Sequence, residues 1–212
     1  MPRFNLLIYE ITKRYFEIFF SIFIILFSIP LVLVLSLLIK LNSRGPIFFK
    51  QIRIGKDKKP FECIKFRTMS KEADDILNNL LLKDKKLRKE FKKTQKLKND
   101  PRITPVGKFL RKTSLDEFPQ FLNVLKGEMS LIGPRPIVEE EKIRYGKHLN
   151  KVLSIKPGIT GLWQVSGRNK LSYKRRIKLD LIYVNERNIS MDLNILIRTI
   201  GVILFPFDRG AY

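Results

Sequence analysis

Ile18-Phe19-Phe20-Ser21-Ile22-Phe23-Ile24-Ile25-Leu26-Phe27-Ser28-Ile29-Pro30-Leu31-Val32-Leu33-Val34-Leu35-Ser36-Leu37-Leu38-Ile39 contains no charged side chain. As one straight helix it would measure about 33 Å, enough to cross a hydrocarbon core. The run is too long for a signal peptide, and Lys40-Leu41-Asn42-Ser43-Arg44 is no small-residue cleavage site. An N-terminal transmembrane anchor is the plain reading. Two features favour a re-entrant hairpin instead. Pro30 has no amide proton to return to the Leu26 carbonyl, so a bend is expected there, with the Ser28 hydroxyl free to bond a neighbouring carbonyl. Lys13 and Arg14 precede the run while Lys40 and Arg44 follow it. The positive-inside tendency thus assigns both ends to the cytoplasm, which a spanning helix cannot satisfy.

Beyond the run, Ser43-Arg44-Gly45-Pro46 reads as a turn. Ile47–Gln51 and Phe61–Phe66 read as short strands around the polar turn 55–59. Residues 70–98 carry a helical pattern, with Ser70 as cap, acidic residues early and lysines late. The apolar segment 190–205 is either a core helix or a helix in the lipid interface, and Phe205-Pro206-Phe207 would suit the latter.

The 212 residues carry a formal net charge of +22, which favours anionic partners: nucleic acid, acidic lipid or phosphorylated substrates. A hydrophobic share of 44% excludes a wholly disordered chain. One cysteine, Cys63, excludes an intramolecular disulfide, and with a single histidine, His148, it leaves no zinc site of the usual kind. Chemistry must then rest on carboxylates, lysines, arginines or a hard metal held by oxygen.

Residues 99–136 supply that chemistry. Ser114-Leu115-Asp116-Glu117 fits a capping box, with Phe118, Phe121, Leu122 and Leu125 at helical spacing and Lys126-Gly127 as the stop. This places Asp116 in a first helical turn, where the dipole would favour an ionised nucleophile or magnesium ligand. Acidic residues at a helix start are common without any catalytic role. Arg111, Lys112, the Pro-flanked Arg102 and Arg135, and the glycine turns 157–161 and 167–169 tilt the balance. Carboxylate, cations and close backbone amides together suit phosphoryl transfer. A membrane-tethered nucleic-acid binder would share the charge but not this arrangement, and no nucleic-acid motif is recognisable.

The segments Asn99-Asp100-Pro101-Arg102-Ile103-Thr104, Arg111-Lys112-Thr113-Ser114-Leu115-Asp116-Glu117-Phe118-Pro119-Gln120, Asn123-Val124-Leu125-Lys126-Gly127 and Met129-Ser130-Leu131-Ile132-Gly133-Pro134-Arg135-Pro136 resemble the bacterial sugar transferase family, the monotopic phosphoglycosyl transferases. Gly45–Phe49, Lys65-Phe66-Arg67-Thr68-Met69 and the stretch 156–169 match further family motifs. The resemblance implies an α/β fold: a re-entrant membrane element at 1–42, and at 43–212 a small, mixed, mainly helical catalytic core with interfacial helices. It places the chain on the cytoplasmic face of the bacterial inner membrane, in exopolysaccharide or lipopolysaccharide biosynthesis. It implies transfer of a sugar 1-phosphate from a UDP-sugar to undecaprenyl phosphate, with UMP released. Asp116 and Glu117 would be the catalytic dyad, Asp116 the nucleophile and a ligand of Mg2+. Arg111, Arg135, Lys65, Arg67, Arg168 and Asp180 would serve the substrate and its phosphates. Membrane lipids and a second copy in a homodimer complete the expected partners, without nucleic acid. One departure concerns the helix break: Ile29 separates Ser28 from Pro30, whereas small family members often have serine followed directly by proline.

Overall fold

The computed structural model describes residues 3–204 apart from 95, 96 and 98. The apolar run is broken where Pro30 predicts. Helix α1 (Arg3–Phe27) ends at Ser28, and α2 (Ile29–Asn42) leaves at a 61° bend. The Ser28 hydroxyl donates to the Ile25 carbonyl at 3.1 Å, and Pro30 occupies the first turn of α2, where a missing amide costs least. No single helix among the described residues is long and apolar enough to cross a membrane.

Both arms return to one domain. The first half of α1 is pinned by polar side chains. Tyr9 donates to Asp192 at 2.8 Å, Lys13 donates to the Ile132 carbonyl at 2.9 Å and pairs with Asp192 at 2.9 Å, and Arg14 donates to the Val124 carbonyl at 2.7 Å. Glu17 accepts from the Leu131 amide at 2.9 Å and from the Ser130 hydroxyl. At the other end, Leu35 and Ile39 of α2 pack against Phe66 and Leu110. Exposed Phe19, Phe23, Phe27, Leu33 and Leu37 remain around the bend.

Strands β1 (Phe48–Ile54) and β2 (Pro60–Phe66) form an antiparallel hairpin in register from Phe48↔Phe66 to Ile54↔Pro60. The first strand runs three residues beyond the expected Gln51. The helical pattern at 70–98 resolves into α3 (Ala73–Lys83) and α4 (Lys85–Thr94). Asp84 breaks it, its carboxylate accepting from the Lys86 and Leu87 amides at 2.6 and 3.2 Å, a capping geometry that interrupts the helix. Ser70 is not the cap: its amide bonds the Arg102 carbonyl at 2.9 Å, and Glu72 precedes the helix. Lys98 lies outside the described residues.

Next come α5 (Pro105–Thr113), α6 (Gln120–Lys126), β3 (Ser130–Ile132), the short helices α7 (Lys142–Tyr145) and α8 (Leu149–Val152), β4 (Gly158–Thr160), α9 (Leu162–Val165), α10 (Tyr173–Glu186) and α11 (Ile189–Leu204). Strands β3 and β4 pair in parallel, Ser130 with Gly158 and Ile132 with Thr160. Two small two-stranded sheets in a mainly helical chain make the expected α/β class too generous to the strands. The core gathers Cys63, Val124, Met129, Leu131, Ile132, Tyr183 and Ile195 around β3.

Helix α11 bears out the core-helix reading of its segment on one face. Ile195 and Val202 face the core, while Leu193, Ile197, Ile200 and Leu204 are exposed on the other side. Phe205-Pro206-Phe207 lie outside the described residues.

Candidate active site

Asp116 and Glu117 occupy a 3-10 turn, Leu115–Glu117, between α5 and α6. The expected capping box does not form. Ser114 adopts a left-handed conformation, φ 60°, closes α5 and makes no capping bond; its hydroxyl accepts from Arg168 at 3.4 Å. Pro119 stands before α6, so Asp116 precedes that helix instead of lying in its first turn.

Two anchors hold the turn. Helix α5 lies so close to β2's exit that a Cβ on Gly107 would stand 2.0 Å from the Thr68 carbonyl oxygen. Helix α6 is pinned by Asn123, which is fully buried. Its Oδ1 accepts from the Ile64 amide at 3.0 Å, while Nδ2 donates to the Glu62 carbonyl at 2.7 Å and to Glu128 at 2.6 Å. One side chain thereby locks the helix after the acidic pair to the strand carrying Lys65.

Four cations converge on the pair. Lys65 donates to Glu117 Oε1 at 2.6 Å, and Arg135 lies 3.5 Å from the same oxygen. Arg111 donates through Nε to the Thr68 hydroxyl at 2.9 Å and places its charge beside Asp116. Arg168, held at φ 48° after Gly167 at φ 138°, projects its charge toward both acids.

The two carboxyls differ sharply. Burial alone would raise Glu117, but Lys65 and Arg135 outweigh it and hold it down at about 2. Burial and the Glu117 charge push Asp116 up to about 6, against the opposing pull of Lys65, Arg111 and Arg135. The dipole-stabilised, ordinary aspartate expected from the capping box is thus corrected: the turn is not an α-helix start, and the next carboxylate is already charged. No hydrogen bond or ion pair reaches the Asp116 carboxylate from the described residues, so its oxygens are uncommitted.

Other expected site residues stand elsewhere. Arg67 is buried, and its terminal nitrogens donate to the Ser43 carbonyl at 2.8 Å and to the Arg44 carbonyl, closing the exit from α2. Arg102 grips Asp100 with two bonds, at 2.8 and 2.7 Å. Asp180 is buried on α10 and accepts from the Tyr145 hydroxyl at 3.3 Å; burial pushes it up to about 8, well above an ordinary carboxylate, despite Arg176. The turn 157–161 spends its close approach on its own backbone: the Gly158 amide donates to the Pro134 carbonyl at 2.8 Å, and a Cβ there would meet Gly133 N at 2.1 Å.

Residue reasoning missed Asn123 and the Lys13, Arg14 and Glu17 cluster as positioning groups. Charges spaced one and four apart on an otherwise apolar helix were the available signal for the cluster.

The acidic pair also bears on magnesium. Among the described residues no group of three or more His, Cys, Asp or Glu side chains could hold a metal. Two adjacent carboxyls, one uncommitted, nevertheless fit a magnesium ion that takes its remaining ligands from substrate phosphate and water. Asp116 is the side chain able to hold it, since Glu117 is already paired.

The sequence profile of the family described as bacterial sugar transferase matches residues 8–206. Among similar proteins, an undecaprenyl-phosphate galactose phosphotransferase of Salmonella typhimurium is 47% identical over 94% of this chain and 41% of its own length. A UDP-glucose:undecaprenyl-phosphate glucose-1-phosphate transferase of Klebsiella pneumoniae is 40% identical over 89% of this chain and 39% of its own length. The exopolysaccharide production protein ExoY of Rhizobium meliloti is 43% identical over 94% of this chain and 88% of its own. This chain therefore spans about two fifths of several curated relatives but nearly the whole of others. With the profile covering nearly all of its length, the chain belongs to the bacterial sugar transferase family.

Proposed function

We propose that the chain transfers a sugar 1-phosphate from a UDP-sugar to undecaprenyl phosphate, releasing UMP, as a membrane step of surface-glycan assembly. The names of the Salmonella and Klebsiella relatives support the carrier and the donor class. The observation that carries the mechanism is the asymmetry of the pair: Asp116 uncommitted and accessible to protonation, Glu117 fixed by Lys65 and Arg135.

An Asp116 carboxylate oxygen attacks the donor's β-phosphorus. The bond from that phosphorus to the oxygen bridging the two phosphates breaks, and UMP leaves with the bridging oxygen. A phosphate oxygen of undecaprenyl phosphate then attacks the same phosphorus, expels the carboxylate and yields the polyprenyl diphosphate sugar. Lys65, Arg111, Arg135 and Arg168 hold the phosphoryl oxygens and offset their charge. Glu117 keeps Lys65 and Arg135 in place. A bound Mg2+ would polarise the phosphoryl group and lower the repulsion between donor and carboxylate.

We place the chain on the cytoplasmic face of the bacterial inner membrane, with the α1–α2 bend dipping into one leaflet. Residues 18–27 of α1 contribute roughly 15 Å and the 14-residue α2 about 21 Å, each short of a core about 30 Å thick. Both arms dock on the same domain, so an excursion that returns to its starting surface accounts for the geometry.

The test measures the nucleotide released from UDP-sugar in the presence of undecaprenyl phosphate. UMP is expected from the parent chain, and Asp116→Asn should lose at least about a thousandfold in turnover while remaining folded. UDP as the product would point to glycosyl transfer instead and overturn the proposal.

A further inference from the structure

A polar recess next to the Arg168 turn is used by nothing described so far. Val165, Ser166, Gly167, Arg198 and Gly201 line a cavity of about 330 Å³ between the end of α9 and the middle of α11. No acidic residue lines it. One terminal nitrogen of Arg198 donates to the Val165 carbonyl at 3.0 Å, which fixes the guanidinium against the wall of the recess. Its remaining donors meet no acceptor among the described residues. A Cβ built on Gly201 meets nothing within 4 Å, so the space is open on the helix side.

The position of the recess narrows its ligand. Arg198 and Gly201 sit on a flank of α11 between its buried face, Ile195 and Val202, and its exposed apolar ridge of Leu193, Ile197, Ile200 and Leu204. The Thr199 hydroxyl, 2.8 Å from that of Thr160, ties the same helix to β4, so the recess has a fixed wall. Its other wall includes Gly167, and the next residue is Arg168, whose side chain reaches the catalytic turn through Ser114. An unspent guanidinium at the edge of an apolar ridge matches a phosphate carried by a lipid: the head on the cation, the tail along the ridge.

We propose that this recess receives the phosphate of the polyprenyl phosphate acceptor, with Arg198 as its ligand and the exposed ridge of α11 as the track for its first isoprene units. This rests on the reading of the reaction given above. A bilayer phospholipid offers similar phosphate chemistry, but contiguity with Arg168 favours the substrate that must reach Asp116.

The experiment uses the full chain in lipid nanodiscs and measures two half-reactions. In Arg198→Ala, KM for undecaprenyl phosphate should rise about tenfold, the loss expected for one charge-assisted bond to phosphate. KM for UDP-sugar and the donor-dependent labelling of Asp116 should stay at parental values, and Arg198→Lys should recover part of the loss. Gly201→Leu, which fills the open space and keeps the charge, should raise the acceptor KM in the same direction. An unchanged acceptor KM in Arg198→Ala and Gly201→Leu, with Asp116 still labelled, overturns this assignment alone. So does weakened binding to vesicles containing phosphatidylglycerol with no change in acceptor KM, which would make Arg198 a contact for bulk lipid. Absence of label on Asp116 in the parent chain overturns the underlying reaction and this assignment with it.

Discussion

At the scale of the residue, two neighbouring carboxyls are driven to opposite protonation behaviour by their surroundings. Glu117 is ionised throughout the useful pH range, its charge held by Lys65 and Arg135. Burial, with that charge as a neighbour, pushes Asp116 up to about 6, so of the two it is the one that titrates near neutrality. A carboxylate must be ionised to attack phosphorus, and the ionised fraction grows as pH rises through its pKa. Turnover should therefore climb with pH through about 6 and level off above it. Lys65→Met removes a cation that favours the ionised form of both acids. The acid limb of kcat/KM should move to higher pH, with the plateau lowered about tenfold or more. An acid limb that stays put in Lys65→Met would detach Lys65 from the pair.

The identities of these residues were legible in the sequence, because Arg111, Asp116, Glu117 and Arg135 crowd one stretch. Their division of labour was not. The capping-box pattern of Ser114 and Glu117 pointed to a helix start, yet the left-handed Ser114 and the following Pro119 spend those positions on a tight 3-10 turn. Arg67 shows the same limit. Its motif suggested phosphate, but the carbonyls left open where α2 ends lie within its reach and take its donors.

At the scale of the element, the α1–α2 pair carries the proposed membrane excursion. Pro30 and the apolar composition made the bend readable, since a missing amide has the same consequence in any context. Lys13 and Arg14 had been readable only as flanking charge. In the structure they tie α1 to β3, α6 and α11, together with Glu17 and Asp192. Pairing across 110 or more positions leaves no local trace in sequence. The proposed hairpin makes a prediction about topology. Asn5→Cys and Lys58→Cys, each probed with a membrane-impermeant maleimide in intact cells, should both stay unlabelled and should label once the cells are lysed. Labelling of Asn5→Cys from outside would make the pair a true span and remove the hairpin.

At the scale of the whole molecule, both arms of the α1–α2 pair and the buried face of α11 pack on the small domain that carries the Asp116 turn. The bend of α1–α2 and the outer ridge of α11 keep exposed apolar side chains, while the acidic turn gathers the cations. The proposed reaction requires a water-soluble diphosphate donor and a lipid-borne phosphate to reach that one carboxylate. The formal charge of +22 fits such a surface, as it would fit nucleic acid; the chemistry is carried by the placement of a few cations around one turn. Composition could state the excess charge but not that placement, and β3 and β4, three residues each, are too short to announce themselves as strands.

The account stands on a phosphosugar carried covalently by Asp116. Brief exposure of the full chain to UDP-sugar without acceptor, followed by acid quench and peptide mass analysis, should find the sugar phosphate mass on the peptide containing Asp116. It should disappear on addition of undecaprenyl phosphate and be absent in Asp116→Asn. A parent chain that turns over fully yet never carries that mass, or an Asp116→Asn variant that turns over at the parental rate, would contradict the account.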